Sequence, residues 1–346
     1  MKSDAPLGVS VVICCHNSAE RLPNTFAHLS AQKVPADLLW EVIVVDNAST
    51  DATADVARRH WPKDARAPLR VVNEPQTGLT HARQRGFAEA KYDIICFIDD
   101  DNWVCPEWVA TVTDLMTTHP DVGACGGTGE AVPETDLPWW FETFQGHYAV
   151  GPQSAEAGDV TWTRGYLWGA GLAIRKAAWS QLIEKGYRSL LTDRQGASLS
   201  SGGDTELCFA LRSAGWRLWY EPRLKFKHLL PAARLQWSYL RGLHRGFGAA
   251  EAVLDTYQFA RKGGLAKRKG RFLQNVCLRQ MLIETKALLR FRGKLLRDLW
   301  QPLEGDPDVL DIEQLKGKIS ELLRTRNSYE ERLRMVEHLA AVGSSQ

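Results

Sequence analysis

Four short apolar runs in the first hundred residues, at 8–15, 40–45, 69–72 and 93–98, alternate with stretches whose apolar residues recur at helical spacing. No other feature restricts the fold as much. Strands covered on both faces read as nearly continuous apolar runs, so the pattern predicts βαβ units. The expected fold is α/β, a mostly parallel Rossmann-like sheet with helices on both faces. Helices are expected at 51–60, capped by Ser49, Thr50 and Asp51, at 77–90 and at 106–118. Open sheets of this kind bind ligands at the carboxyl ends of their strands, where Cys14 to Asn17, Asp46 with Asn47, and Asp99 to Asp101 all fall. These polar strand ends are expected to converge on one crevice.

The fourth run closes on Asp99, Asp100 and Asp101. Three adjacent carboxylates repel one another and lose solvation where a sheet ends, a cost that a divalent cation relieves. Along extended backbone Asp99 and Asp101 point one way and Asp100 the other, giving an Asp-x-Asp pair. Hard oxygen ligands in small number suit Mg²⁺ or Mn²⁺, which leave coordination positions for substrate phosphate. The competing reading is a strand end followed by a cap at Asn102, with Pro106, Glu107 and Trp108 opening a helix.

With 346 residues, 44% hydrophobic and 24% charged, the chain has the make-up of an ordinary globular protein. No stretch approaches the roughly 20 uncharged apolar residues of a membrane span, and the first residues carry no apolar signal region, so a cytoplasmic protein is expected. Seven cysteines without a Cys-x-x-Cys spacing, Cys14, Cys96, Cys125 and Cys208 among them, read as reduced core residues. The net charge of +2 hides an asymmetry: 223–298 holds 18 Lys or Arg against 4 Asp or Glu, whereas nine acidic residues face six basic ones from Glu304 onward. The basic segment, with Arg261, Lys262, Lys267, Arg268, Lys269 and Arg271, is expected to attract a polyanion or an anionic membrane surface, or else to cap the fold or build a homo-oligomer. It has neither a recognisable motif nor a stacking platform for nucleic acid, which is not an expected partner.

Aromatic residues accumulate between 130 and 175, and 165–174 reads as a strand after a glycine turn. A small flexible loop at 198–203 opens into a helix at 204–212, and a further strand is expected at 224–227. From Leu235 onward the chain reads as long helices, most persistently at 274–300 and 312–339.

The segments 9–17 (VSVVICCHN), 41–51 (EVIVVDNASTD), 77–86 (TGLTHARQRG), 97–101 (FIDDD) and 202–208 (GGDTELC), in that order, resemble the family 2 glycosyltransferases, inverting nucleotide-sugar enzymes of the GT-A fold. The resemblance covers about two thirds of the chain, 8–228. It implies a GT-A catalytic domain at 1–230, with a nucleotide-binding half at 8–128 and an acceptor-binding half at 129–230, followed by a helical C-terminal extension at 231–346.

The resemblance also implies roles. Asp46 accepts a hydrogen bond from uracil N3–H, an Asx turn on Ser49 being the alternative. Cys14 and His16 line the nucleobase and ribose pocket, although the family more usually has an aromatic or hydroxyl residue there, so His16 is either a ligand or a structural histidine. Arg83, rather than Arg85, neutralises pyrophosphate. Asp99 and Asp100 complete the nucleotide-sugar site, and Asp101 holds the metal with Asp99 and His228. Asp204 removes the acceptor hydroxyl proton. The family usually has Glu-Asp at that point, but Gly203 replaces the glutamate. Glu206 lies about 200° from Asp204 around a helix, so the two cannot serve one hydroxyl. Glu206 is read as an acceptor-side residue, or as the base in place of Asp204. Trp139, Trp140 and Trp168 either stack on an acceptor sugar or fill a core.

The expected activity is metal-dependent transfer of a sugar from a nucleotide-diphosphate donor, UDP-linked by resemblance, to a glycan, lipid-linked or small-molecule acceptor. A nucleotidyltransferase needs a glycine-rich, lysine-bearing loop that 14–20 lacks. A non-catalytic scaffold for polyanions or membranes is the reading from another class, and its nucleotide binding would not depend on divalent metal.

Overall fold

The computed structural model describes residues 7–191, 202–261, 276–301 and 303–343. The four apolar runs form β1 (Val9–Cys15), β2 (Trp40–Asn47), β3 (Leu69–Glu74) and β4 (Ile94–Phe97), connected through α1 (Leu22–Ser30), α2 (Thr53–His60) and α3 (Leu79–Glu89). Pairing is parallel across β3-β2-β1-β4. Alternation along β1 sends Val9, Val11, Ile13 and Cys15 into one core with Phe26 and Trp108. Val12 enters a second core on the other face, with Ile43, Phe87 and Ile95. The buried polar residues near the amino ends satisfy each other: Ser10 Oγ donates to Glu41 Oε1 at 2.9 Å, and Arg70 pairs with Glu41 at 3.1 Å.

Beyond β4 the sheet is mixed. The remaining strands are β5 (Asn102–Val104), β6 (Val122–Pro133), β7 (Gly158–Asp159), β8 (Leu172–Arg175) and β9 (Arg217–Leu230), interleaved with α4 (Trp108–Thr118), the short α5 (Phe141–Phe144), α6 (Lys176–Glu184) and α7 (Gly203–Ser213). The sheet order is β3-β2-β1-β4-β8-β6-β9-β5, with β7 on β9. β8 runs antiparallel to both β4 and β6, β5 and β7 run antiparallel to β9, and only β6 and β9 are parallel here. The expected strand at 224–227 is thus the centre of a 14-residue strand, and β6 is a strand for which the sequence raised no expectation. Asn102 opens β5 rather than capping a helix, because the Asp99 carbonyl accepts its N–H at 3.0 Å and turns the chain back toward β9.

The C-terminal helices are α8 (Trp237–Arg261), α9 (Val276–Arg290), α10 (Arg292–Trp300), α11 (Pro307–Thr325) and α12 (Tyr329–Gly343). They share cores with the sheet. Tyr257, Val336 and Leu339 join Phe209 and Leu218, and Leu240, Leu243 and Leu310 join Phe144, Tyr148 and Leu230. α8 and α11 meet backbone to backbone: a Cβ on Gly248 would strike the Gln314 carbonyl, and one on Gly317 the Arg245 carbonyl. Among the described residues no helix is long and apolar enough to cross a membrane. The basic cluster Lys267, Arg268 and Lys269 and most of the loop at 198–203 lie outside the described residues.

Candidate active site

A cavity of about 1040 Å³ lies at the carboxyl ends of β1, β2 and β4. One wall comes from the strand ends and the amino end of α3, a second from 164–170 and the start of α7, and a third from one face of α8. The cavity therefore joins segments that are more than two hundred residues apart.

At the end formed by β1, β2 and α3, Asn47 organises the loops. It is buried, its Nδ2 donates to the carbonyls of Glu74 and Gln76, and its Oδ1 accepts the Gly78 N–H at 2.8 Å. Gly78 precedes α3 with φ at 135°, a conformation that side chains resist. The amino end of α3 thus opens on the cavity, where the helix dipole favours an anion. His16 Nδ1 donates to the Asn47 carbonyl at 2.8 Å, so its Nε2 carries the lone pair. Cys14 lines the same end, and burial pushes its thiol up to about 12, keeping it neutral. Asp46 does not line the cavity. Its Oδ1 accepts the Ser49 N–H at 3.3 Å, the Asx-turn alternative.

The acidic triplet sits in the turn after β4. All three carboxylates line the cavity, and they are carried by a turn rather than an extended strand. Asp100 Oδ2 accepts from Arg21 Nε at 3.0 Å and Nη2 at 2.7 Å. Asp101 faces the other way, toward β9. Register pairs Asn102 with His228, and the Leu229 N–H donates to the Asp101 carbonyl at 3.0 Å. His228 Nδ1 donates to the Tyr148 carbonyl at 2.8 Å, leaving Nε2 to face Asp101 Oδ1 across 3.7 Å. Arg234 Nη1 donates to Asp101 Oδ2 at 3.1 Å and lies 3.3 Å from His228 Nε2. Burial and the neighbouring Asp101 raise the Asp99 carboxyl to about 6, against the pull of Arg83 and His228.

Among the described residues no three His, Cys, Asp or Glu side chains converge as a closed metal cage. The donor chemistry nevertheless fits a hard cation that takes most of its ligands from phosphate. Asp101 and an imidazole nitrogen locked into its acceptor tautomer face one point, and the Arg234 guanidinium stands there as a cation.

Asp204 lies in the first turn of α7 and lines the cavity. The Gly169 N–H donates to its Oδ2 at 2.6 Å and the Thr205 N–H to its Oδ1 at 2.8 Å. A Cβ on Gly169 would meet Arg83 Nη2 at 2.8 Å and Asp204 Cβ at 3.2 Å, so the guanidinium and the carboxylate flank one glycine. Arg85 instead pairs with Glu89 at 2.9 Å on the surface of α3.

Glu206 does not line the cavity. It is fully buried on the opposite side of α7, where it accepts from Ser189 Oγ, the Leu190 and Leu191 amides and Tyr257 Oη. It clasps the 189–191 segment to α8 rather than touching an acceptor. Trp139 and Trp140 also fall outside the cavity. Trp139 is 75% exposed and lies over Gly305, while Trp140 is in the core with its Nε1 donating to Glu304 at 2.7 Å. Trp168 does line the cavity, beneath the Arg164 guanidinium at 5.1 Å.

Sequence reasoning missed Arg21, Arg164 and Arg234, and the α8 wall of Leu243, His244, Phe247 and Leu254. The row at i, i+3/i+4 and i+7 in α8 was visible, but nothing in the sequence said which surface it met. His147 and His244 are hydrogen-bonded at 3.0 Å on this side, and burial followed by His147 brings His244 down to about 4.

Residues 10–182, half of the chain, match the sequence model of the family described as Glycosyl transferase family 2. The chain is similar to the glucosyl-dolichyl phosphate glucuronosyltransferase of Haloferax volcanii, with 25% identity over 256 residues, 71% of this chain and 77% of that one. It is also 25% identical over 240 residues to the succinoglycan biosynthesis protein ExoM of Rhizobium meliloti, covering 68% and 71% of the two chains. The crystal structure of S. aureus TarS 1-349 in complex with UDP-GlcNAc shares the fold, with a TM-score of 0.53 at 14% identity over 94% of this chain and 92% of that one.

Proposed function

The chain belongs to the family 2 glycosyltransferases, and from that premise we propose that it moves a sugar, with inversion, from a UDP-linked donor to a hydroxyl of a lipid-linked or glycan acceptor. The observation that carries this reading is the meeting of the acidic triplet, Arg83 and Asp204 around one cavity. Residues 8–128 hold the donor, and 129–230 together with α8 hold the acceptor. The solved relative with UDP-GlcNAc supports uridine as the base. The relative from Haloferax volcanii is named for a lipid-phosphate-linked sugar, which supports a lipid-linked acceptor.

The uridine enters at Cys14, His16 and Asn47. The diphosphate lies against the amino end of α3, where Arg83 offers a charge-assisted donor. Asp101 and His228, with Asp99 beside them, would hold Mg²⁺ or Mn²⁺, and such an ion supplies charge stabilisation to the departing diphosphate. Arg21 keeps Asp100 neutralised and fixes the turn that aims Asp101.

Asp204 accepts the proton of the acceptor hydroxyl as that oxygen bonds to the anomeric carbon and the bond to the phosphate oxygen breaks. The Gly169 amide fixes the carboxylate so that a lone pair remains on each oxygen. The acceptor lies between Trp168 and the α8 face. There Phe247 and Leu243 supply apolar contact, and His147, His244 and Gln314 supply polar partners.

A panel of nucleotide sugars scored for thermal stabilisation and hydrolysis, with Mn²⁺ and with chelator, tests the proposal. Stabilisation by UDP and one UDP-sugar, dependent on metal, is expected. Indifference to every nucleotide under both conditions would overturn it.

A further inference from the structure

We infer that the outward face of α9 and α10 is a docking surface for an anionic lipid membrane, on which the protein lies without spanning it. This goes beyond the transfer reaction and does not depend on it.

At 100° per residue, Leu278, Leu282 and Leu289 fall within about 40° of one another around α9. Leu296 and Trp300 repeat the arrangement at i and i+4 on α10. All five are at least half exposed, Trp300 to 88%. The stripe runs about 16 Å along α9, and the exposed pair on α10 follows it across the turn at Phe291. So much aliphatic and indole surface in water marks an interaction site, and Trp is favoured where an apolar phase meets water.

Charge on the same helices selects the occupant. Lys286, Arg290, Arg292 and Arg297 are exposed beside the stripe. Both acidic residues of the segment are turned inward. Glu284 is buried and pairs with Lys318 at 3.2 Å, and Asp298 pairs with Arg241 at 2.7 Å. The inner face is also fixed by Cys277 Sγ, which donates to the Leu322 carbonyl of α11. The exposed face is therefore apolar along its middle and cationic on its flanks, the pattern of a helix lying in a lipid interface. A second copy of the chain is the poorer occupant, because pairing two such faces sets cation against cation with no outward acid to offset them. Anionic headgroups neutralise the flanks while acyl chains receive the leucines.

The full chain, mixed with vesicles of phosphatidylcholine alone or with phosphatidylglycerol added, is sedimented at low and high salt. Recovery with the anionic vesicles at low salt is expected, weakened at high salt and on neutral vesicles. Leu282→Glu with Leu289→Glu, and separately Lys286→Glu with Arg290→Glu, are each expected to lower the partition coefficient at least about tenfold with the melting temperature unchanged. These side chains are exposed and outside the cavity, so nucleotide binding serves as the control for folding. Recovery of the wild type in the supernatant with every vesicle overturns the proposal, as does wild-type binding that both double variants retain. A wild-type dimer by light scattering that Leu282→Glu with Leu289→Glu converts to monomer, without vesicle binding, assigns the face to a second copy instead.

Discussion

The Gly169 amide and the Asp204 carboxylate, 35 positions apart in sequence, meet in a 2.6 Å hydrogen bond that holds Oδ2 against the cavity wall. Asparagine can present its carbonyl oxygen to the same amide at the cost of the Thr205 N–H contact, so Asp204→Asn removes the basicity while Gly169 still holds the side chain. Turnover is expected to fall by about 10² to 10⁴ while UDP affinity stays near wild type, measured by steady-state kinetics and calorimetric titration. If activity survives this change, Asp204 is not the base.

Asp101→Ala removes the carboxylate that faces both His228 and Arg234. UDP titrations with and without Mn²⁺ are expected to become superimposable in this variant, where the wild type shows a metal-dependent gain. A gain that persists places the cation elsewhere.

Glu206→Gln separates a structural carboxylate from a chemical one. Four donors point at Glu206, so an amide NH₂ there meets a donor head on, and the fold is expected to lose about 1–3 kcal/mol. Thermal unfolding reads that loss. At a temperature where the variant is folded, turnover per folded molecule should change little, whereas a collapse of turnover without loss of stability reverses the assignments of Asp204 and Glu206.

Acid should weaken the α8 wall. Folded His244 titrates near 4, below its ordinary value, so as the pH falls through the unfolded value of about 6.5 the unfolded chain takes up a proton that the folded chain refuses. Stability from this residue is fully present above that value and is lost as the pH drops toward 4. Between pH 7.5 and 5.5 the loss amounts to about 1 kcal/mol. His244→Gln should show a correspondingly smaller drop in melting temperature across that interval, and an identical drop excludes His244 as the source.

The elements legible in the sequence were those fixed by local pattern. Apolar runs gave β1 to β4, of which β1, β2 and β4 are buried on both faces and the edge strand β3 only partly, and the polar strand ends fall at the cavity. Helical spacing separated Asp204 from Glu206, and only Asp204 faces the cavity. What stayed hidden depends on distant pairing. Arg234 reaches Asp101 because β5 pairs with β9 and a short turn follows, a relation spanning 133 positions. Trp139 and Trp140 are adjacent in sequence, yet one is on the surface and the other in the core, since aromatic content says nothing about direction. Asp46 showed its turn chemistry in the neighbouring Ser49, and that local hydrogen bond formed.

The reciprocal glycine contacts of α8 and α11 bear on how this enzyme is altered, by evolution or by hand. With Gly248 seated on Gln314 and Gly317 on Arg245, the two helices have no clearance in which to slide. The α8 side of the cleft is a fixed jaw. A change in what the cleft admits must therefore come from exchanging the side chains that the jaw presents, at Leu243, Phe247 and Leu254, with the backbone left where it is.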